Sequence, residues 1–289
     1  MGRAIMIQGT SSGAGKSTLV TGLCRVLKQE GFSVAPFKAQ NMSSNAYYLE
    51  NGLQMAKSQA IAAYACGIEP DVNMNPVLLK PTNLAGSEVI LNGEPIGYLK
   101  NFEYNELKKR LLESILHAYN HLIDRFDIVI AEGAGSPVEL NLKENDIVNM
   151  GFATRTNCPV ILVTDISRGG VFASVYGTMM LLEEKEKTLV KGIVINKFHG
   201  YKEHFKSGID ILENITHCPV LGVLPQIDVN IEDEDSLVDN GSIKTEKSLM
   251  EKLITHMSYR EYMEAEFDKL ANSVKENIDI NHVLKIIGE

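Results

Sequence analysis

The chain has 289 residues, of which 44% are hydrophobic and 22% are charged, a composition typical of a globular protein. Its formal net charge is -9 and its lysines and arginines are scattered, which argues against a nucleic-acid-binding surface. No apolar run approaches the roughly 18 residues that a membrane span needs, and no secretory signal precedes the first predicted strand, so we expect a cytoplasmic protein.

Short β-branched runs alternate with helical stretches along the first 225 residues. Most of the runs are continuously apolar, which is typical of strands covered on both faces. The alternation predicts an α/β fold, with a mostly parallel sheet covered by helices on both faces and ligands at the carboxyl ends of the strands. The strands are predicted at 3–9, 32–38, 127–133, 158–165, 190–197 and 218–225, and the helices at 16–30, 53–66, 103–125, 170–185 and 203–216.

The first predicted strand leads through a glycine-rich turn, GTSSGAGKST, into a helix. This order predicts a phosphate-binding loop (P-loop) whose backbone N–H groups cradle the phosphates of ATP. Lys16 would neutralise the β- and γ-phosphates, and the Ser17 hydroxyl would bind Mg²⁺. A glycine-rich turn that binds nothing is the alternative. The predicted nucleotide-binding residues of the loop are Gly9, Thr10, Ser12, Gly13, Ala14, Gly15, Lys16, Ser17 and Thr18, with Gly13 and Gly15 at positive φ.

Polar residues end or follow three further buried strands. Glu132, in IVIAEGAGSP, is placed to hold Mg²⁺ directly or through water, with a surface carboxylate as the alternative. Asn196, in VINK, is placed to bind the base of the nucleotide. Arg168, in TDISRGG, precedes a helix and forms a candidate anion site, with capping of that helix as the alternative.

The segment after the second strand, PFKAQNMSSN at 36–45, is dense in amides and carries a lysine, and MNPVLLKP at 74–81 adds one more of each. Such a cluster beside an ATP site suits a substrate with several carboxylates, whose charges must be paired and oriented. Solvated loops are the alternative. The predicted substrate-binding residues are Lys38, Gln40, Asn41, Asn45, Asn75, Lys80 and Arg168. Lys16, Lys38 and Glu132 are predicted to be catalytic, with Ser17 and Glu132 as the metal ligands.

The character of the chain changes after Pro225. Residues 227–247 are acidic and poor in large apolar side chains, which indicates a surface segment or linker. Residues 248–256 and 258–287 are predicted to be helical, the latter with an apolar stripe formed by Tyr262, Phe267, Leu270, Val274 and Ile278. We therefore predict a P-loop domain at 1–236, a linker or junction at 237–257 and a C-terminal helical tail at 258–289.

These motifs resemble known proteins in two ways, through the P-loop alone and through the order of all the motifs together. One extra residue between Gly9 and Gly15 makes the P-loop similar to that of dethiobiotin synthetase and its relatives, in the MinD-like branch of P-loop proteins. Many MinD-like ATPases have a dimer-bridging lysine at the position of Ser11, and its absence favours a ligase over a partitioning ATPase. Over roughly 3–236, the chain resembles the cobyric acid synthases in the order and spacing of GTSSGAGKST, PFKAQNM, MNPVLLKP, EGAGSPVELNL, DIVNMGFA, DISRGGVFAS and INKFHG.

The resemblance implies an ATP-dependent carbon–nitrogen ligase, with ATP and Mg²⁺ as cofactors, in cobalamin biosynthesis. Such an enzyme amidates peripheral carboxylates of adenosylcobyrinic acid a,c-diamide: ATP phosphorylates a carboxylate, and ammonia attacks the acyl phosphate. Two alternatives stay open. One is a related ligase of the cobyrinic acid a,c-diamide synthase or dethiobiotin synthetase type, and the other is a non-catalytic nucleotide-binding switch.

The sequence departs from this family in two places. The family continues into a glutaminase domain with a cysteine nucleophile in a glycine-rich elbow, whereas none of the four cysteines here has such flanking glycines. Compared with the family, the glutaminase domain looks as though it has been removed and the flanking segments joined near 237–257. We therefore expect ammonia to come from free ammonium or from a glutaminase subunit in trans. A homodimer is left open. Gln54 stands where the family usually has a glutamate, so we do not expect a third direct protein ligand to Mg²⁺ there.

Overall fold

The computed structural model describes residues 2–44, 46–82, 86–99, 101–231 and 259–288. Asn45, the predicted linker at 237–257 and the predicted helix at 248–256 lie outside the described residues. In chain order, the strands are β1 (Arg3–Gly9), β2 (Val34–Lys38), β3 (Gln40–Met42), β4 (Ala46–Tyr48), β5 (Gln54–Ala56), β6 (Val77–Thr82), β7 (Gly86–Leu91), β8 (Glu94–Leu99), β9 (Ile128–Glu132), β10 (Val160–Asp165), β11 (Val190–Phe198) and β12 (Val220–Pro225). The α-helices are α1 (Lys16–Gln29), α2 (Lys57–Cys66), α3 (Asn101–Arg125), α4 (Met150–Thr156), α5 (Val171–Leu181), α6 (Glu184–Lys187), α7 (Lys206–Thr216), α8 (Tyr259–Asn277) and α9 (Ile280–Gly288).

A parallel sheet with the strand order β12-β11-β10-β1-β9-β2 forms the centre of the molecule. Successive side chains of a strand point to opposite faces of its sheet. In β1, Ile5 and Ile7 pack with α1, α8 and α9, whereas Met6 belongs to the core formed with α3, α4, α5 and α7. This burial on both faces explains the continuously apolar strands of the sequence. The predicted α/β fold is therefore confirmed, with each of the six predicted strands in the central sheet.

A second sheet was not predicted from the sequence. It has the order β3-β6-β7-β8, with β3 parallel to β6 and the other neighbours antiparallel. A short ribbon of β4 and β5 precedes α2, so this helix begins at Lys57 and not at 53 as predicted. The strands β3, β4 and β5 have three residues each, too few to show a period-two pattern in the sequence.

The predicted helices at 170–185 and 258–287 are each divided in the structure. Leu182 is extended, and Glu183 caps the N-terminus of α6 in a capping box, in which the side chains of Glu183 and Glu186 each accept a hydrogen bond from the other's backbone N–H. Ile278 and Asp279 separate the two C-terminal helices, and Asp279 accepts a hydrogen bond from His282 N at 2.9 Å. Among the described residues, no helix combines the length and the hydropathy that a membrane span requires.

The C-terminal helix α8 packs directly on α1. An added Cβ at Gly22 of α1 would lie 2.7 Å from Val274 Cγ2, so the two helices approach closely at this point. Next to this contact, Arg25 of α1 binds Glu264 at 2.6 Å and Asp268 at 2.7 Å. The helix that receives α8 is therefore the same helix that follows the P-loop.

Candidate active site

A cleft with a volume of about 800 Å³ opens at the carboxyl ends of β1, β2 and β9. Ligand sites of open α/β sheets lie at this edge. The P-loop forms one end of the cleft through Ser12, Gly15, Lys16 and Ser17. The second sheet, α3 and the loop that follows β9 form the remaining walls, so one cavity joins the predicted nucleotide site to the polar segment after β2.

The P-loop has the backbone that the sequence predicts, with Gly13 at φ 69° and Gly15 at φ 91°. A methyl group at Gly15 would lie 2.0 Å from Asn196 Nδ2, so this position requires glycine for space as well as for its φ. Lys16 Nζ donates to Ser11 O at 3.0 Å and to Gly135 O at 3.1 Å. No side chain caps the start of α1, and N–H groups at a helix N-terminus favour bound anions.

Glu132 is a buried carboxylate at the end of β9, with 1% of its surface exposed. Its Oε1 accepts hydrogen bonds from Ser17 Oγ and Lys38 Nζ, both at 2.8 Å, and its Oε2 accepts one from Gln59 Nε2 at 3.2 Å. Lys38 and Glu132 are register partners on the neighbouring strands β2 and β9, which explains why their side chains meet. A buried charge requires such partners, because burial without them is costly.

The oxygen atoms around Glu132 suit Mg²⁺. Ser17 Oγ and Glu132 Oε1 are hard oxygen ligands that lie 2.8 Å apart, and Mg²⁺ is commonly held by one or two protein oxygens together with phosphate and water. Gln54 Oε1 accepts a hydrogen bond from Lys80 Nζ at 3.0 Å, and both residues lie outside the cleft lining. Ser17 and Glu132 are thus the residues of this cluster that could hold the cation.

Asn149 holds the loop that follows β9 in place through hydrogen bonds to its backbone. Its Oδ1 accepts from Ala134 N at 3.0 Å, and its Nδ2 donates to Ala134 O at 2.7 Å. Asp146 in turn accepts a hydrogen bond from Asn149 N at 2.9 Å. Because Gly135 O in the same loop is an acceptor for Lys16, Asn149 positions part of the surroundings of the P-loop lysine.

Asn196 and Lys197, at the end of β11, bind the backbone of the P-loop. Asn196 Nδ2 donates to Ala14 O at 3.0 Å, and its Oδ1 accepts from Lys197 N at 2.8 Å. Lys197 Nζ donates to Gly13 O at 2.6 Å and pairs with Asp165 at 3.0 Å. These contacts hold the loop against the sheet, and a role of Asn196 in binding the base remains a prediction.

The predicted substrate-binding residues do not all lie in the cleft. Lys38, Gln40 and Asn41 line it. Asn75 is fully buried, and its Nδ2 donates to Lys38 O at 3.0 Å, so it supports the backbone of a cleft residue from behind. Arg168 is exposed in the loop before α5, outside the cleft lining. Asn45 lies outside the described residues.

Part of the cleft lining consists of residues that the sequence prediction missed. Lys108 of α3 and Lys143 line it together with apolar residues of the second sheet. Lys143 Nζ binds Glu186 at 2.8 Å and Glu183 at 3.3 Å. No motif marks these two positions, and the second sheet that lines the cleft beside them was itself not predicted.

The fold and the site define a P-loop nucleotide-binding protein with a parallel central sheet. Residues 5–237 match the model of the CbiA family, described as the CobQ/CobB/MinD/ParA nucleotide binding domain. The chain belongs to this family.

The chain is similar to curated cobyric acid synthases, which confirms the resemblance inferred from the motifs. The enzyme of Lachnoclostridium phytofermentans is 51% identical over 253 residues, covering 86% of this chain and 49% of the relative. That of Ruminiclostridium cellulolyticum is 52% identical over 244 residues, covering 84% and 48%. The chain thus spans about half the length of the curated relatives that it matches.

A similar solved structure is more distant from this chain in sequence. The septum site-determining protein MinD from Pyrococcus horikoshii OT3, complexed with Mg-ADP, aligns at 14% identity with a TM-score of 0.42, covering 96% of this chain and 97% of that chain. A likeness at this level does not bear on the function.

Proposed function

We propose that the chain is the ATP-dependent part of an amide ligase in cobalamin biosynthesis, which amidates peripheral carboxylates of adenosylcobyrinic acid a,c-diamide. The observation that carries the proposal is the cleft itself, which joins the P-loop to the Lys38–Glu132 pair and to Gln40 and Asn41. The similarity to cobyric acid synthases supports the choice of substrate. The activity and substrate of the whole protein are part of this proposal.

Each residue of the cleft would have a separate role in the reaction. Bound Mg·ATP supplies the phosphoryl group that activates the carboxylate. Lys16 and the first-turn N–H groups of α1 bind phosphate oxygens, and Ser17 and Glu132 hold the cation. Lys38, 2.8 Å from Glu132, is close enough to the same centre to orient the substrate carboxylate.

The two proposed steps consume ATP and ammonia and release ADP and phosphate. A carboxylate oxygen of the substrate attacks the γ-phosphorus, which forms the acyl phosphate and releases ADP. Ammonia then attacks the acyl carbon, phosphate leaves and the nitrogen loses a proton. Gln40 and Asn41, which line the cleft next to Lys38, are placed to bind the amide or carboxylate groups around the reacting position.

Ammonia would come from free ammonium or from a separate glutaminase. The four cysteines all lie in the described residues, and each is buried as a free thiol. Burial raises the pKa of Cys158, and it raises the pKa of Cys218 to about 12. Because the thiolate is the nucleophilic form, these two thiols are poorly suited to glutamine hydrolysis. A glutaminase in trans and a homodimer remain predictions.

Mass spectrometry of the product tests the proposed function. The protein is incubated with Mg·ATP, ammonium and cobyrinic acid a,c-diamide, and in parallel with other corrinoid acids or with diaminopelargonic acid and bicarbonate. Each new amide lowers the mass of the corrinoid by about one unit, which gives the number of carboxylates converted. Amidated corrinoid and ADP are expected. Folded protein that yields neither at saturating ammonium would contradict the proposal, and a product from diaminopelargonic acid alone would favour the dethiobiotin synthetase type.

A substitution in the P-loop ties the activity to this cleft. Lys16→Ala should abolish turnover, because the phosphates lose their charged partner inside the loop. Lys28→Ala, at the other end of α1, removes the same charge without touching the cleft and should leave turnover near that of the unchanged protein. Near-normal turnover by Lys16→Ala would contradict the assignment of the loop.

A further inference from the structure

Gln59, in the first turn of α2, is a buried amide that contacts the candidate metal ligand Glu132. The side chain of Gln59 is fully buried, and its Nε2 donates a hydrogen bond to Glu132 Oε2 at 3.2 Å. Glu132 lines the cleft, whereas Gln59 lies outside the cleft lining. Any influence of Gln59 on the site therefore passes through this carboxylate.

The two carboxylate oxygens of Glu132 have different partners. Ser17 Oγ and Lys38 Nζ both donate to Oε1, whereas Gln59 Nε2 donates to Oε2. A cation held by Ser17 and by Oε1 would compete with the ammonium group of Lys38 for the same oxygen. The hydrogen bond from Gln59 involves the other oxygen and a neutral donor, so it can persist while the cation binds.

The orientation of a carboxylate ligand is important for Mg²⁺ in particular. Mg²⁺ requires nearly ideal octahedral geometry with short ligand distances. Partners that lie behind a metal ligand orient this ligand and change its affinity for the metal. In the proposed reaction Lys38 also orients the substrate carboxylate, so Gln59 is the partner whose contact with Glu132 need not change during turnover.

A role in folding alone accounts poorly for a glutamine at this position. Within the described part of the chain, Gln59 Oε1 is buried and accepts no hydrogen bond. A buried acceptor without a donor costs free energy. An unbranched apolar side chain such as methionine would fill a similar space without this cost, so the amide is better explained by the hydrogen bond that it donates to Glu132.

We propose that Gln59 is a positioning residue, which holds Glu132 through Oε2 so that Oε1 stays directed at the cation that Ser17 also holds. The inference rests on the proposed function and deepens it, because it adds a residue that sets the affinity of the nucleotide site for Mg²⁺. Gln59 itself would contact neither the cation nor the nucleotide.

The test compares Gln59→Met with Gln29→Met. Both variants lose an amide that donates to a carboxylate, but Gln29 donates to Asp268 at the contact between α1 and α8, outside the cleft lining. The Kd of the non-hydrolysable β,γ-methylene analogue of ATP is measured by calorimetry, once with Mg²⁺ and once with EDTA. Loss of a partner behind a metal ligand lowers metal affinity roughly 10- to 100-fold, so Gln59→Met should raise the Kd with Mg²⁺ by this factor. The Kd with EDTA should stay unchanged, and Gln29→Met should change neither value.

Two further variants separate positioning from packing. Gln59→Asn keeps the amide on a side chain that is one methylene shorter, and it should show the same selective loss with Mg²⁺ if Gln59→Met does not fold. In a Glu132→Gln background, Gln59→Met should change the Kd with Mg²⁺ by less than twofold, because the carboxylate through which Gln59 acts is gone.

Three results would overturn the role of Gln59. They are a Kd with Mg²⁺ within twofold of that of the unchanged protein, an equal rise with Mg²⁺ and with EDTA, and a full loss that persists in the Glu132→Gln background. Each of them leaves the proposed function standing if the unchanged protein yields amidated corrinoid. Failure of the folded, unchanged protein to bind the ATP analogue under either condition would overturn both.

Discussion

At the scale of single residues, Glu132 is the point where separate parts of the chain meet. It accepts hydrogen bonds from Ser17 of the P-loop, Lys38 at the end of β2 and Gln59 in the first turn of α2. Ser17, Lys38 and Glu132 were predictable because each belongs to a short motif beside a strand, and parallel strands bring such motifs to one edge. Gln59 reaches the same carboxylate from a helix without a motif, so the sequence did not reveal it.

The contributions of Lys38 and Glu132 to the free energy of unfolding should depend strongly on each other. The two side chains are 7% and 1% exposed, and removing one member of a buried ion pair costs about 3–5 kcal/mol. We expect Lys38→Met and Glu132→Gln each to lower the free energy of unfolding by this order, measured by urea denaturation. The double variant should lose clearly less than the sum of the two. Additive losses would show that the two charges do not depend on each other.

At the scale of elements, the central strands were predictable and the second sheet was not. The six central strands are runs of apolar residues because both faces of their sheet are covered. The strand β6, VLLKPT, is buried at its start and partly exposed at its end, and its neighbour β3 has three residues. Neither shows the pattern of a buried or of a half-buried strand, so the wall that carries Leu79 and Val89 to the cleft had no signal in the sequence.

The close contact between α1 and α8 gives a prediction with a matched control. A methyl group at Gly22 would lie 2.7 Å from Val274 Cγ2, whereas one at Gly177 of α5 would meet nothing within 4 Å. Alanine is favoured over glycine in a helix by roughly 0.5–1 kcal/mol, so Gly177→Ala should raise the free energy of unfolding. Overpacking costs about 1–3 kcal/mol. The free energy of unfolding of Gly22→Ala should therefore be lower than that of Gly177→Ala by at least about 1 kcal/mol. Adding Val274→Ala should recover part of the loss, and equal effects of the two glycine substitutions would contradict the close packing.

The ion pairs between α1 and α8 should make this contact sensitive to acid. The hydrogen bond from Arg25 lowers the pKa of Asp268 below its usual value. A carboxyl group with a depressed pKa in the folded protein stabilises the fold above its unfolded pKa of about 3.9, and this contribution is lost as the pH falls through the folded pKa.

Arg25→Met keeps most of the apolar stem and removes the charge. Since Glu264 and Asp268 are partly exposed, we expect it to lower the free energy of unfolding by about 1 kcal/mol near pH 6. The difference from the unchanged protein should vanish as the pH is lowered below about 4. A difference that stays constant with pH would show that Arg25 acts through packing alone.

At the scale of the whole molecule, the cysteines report on opening of the core. Cys24 and Cys66 belong to the core on the α1 side of the central sheet, and Cys158 and Cys218 to the core on the other side. A reagent that labels thiols therefore reaches both layers only when the protein opens. The two layers share the central sheet, and the nucleotide site lies at its edge.

Nucleotide binding should slow this labelling. A ligand that binds only the folded state stabilises it by about 2.7 kcal/mol at 100 times its Kd, which corresponds to roughly 100-fold slower labelling through global opening. We expect this protection from Mg·ATP, measured by the absorbance of the thiol reagent, and none in Lys16→Ala. Equal labelling rates with and without Mg·ATP would contradict a nucleotide site coupled to the whole fold.

The contacts on either side of residues 232–258 have a consequence for how the chain can be extended. Asn230 N donates to Glu266 Oε2 at 2.7 Å, and Lys269 donates to the carbonyl of Asp228, so the chain before this stretch and the helix after it bind each other. Glu266 is seven residues after the first residue of α8, so the two ends of an inserted segment would be separated by only about two helical turns, roughly 10 Å, along this helix. Since the entropy cost of closing a loop grows only with the logarithm of its length, even a complete folded unit could be grafted here as an exchangeable cassette while α8 keeps its place on α1.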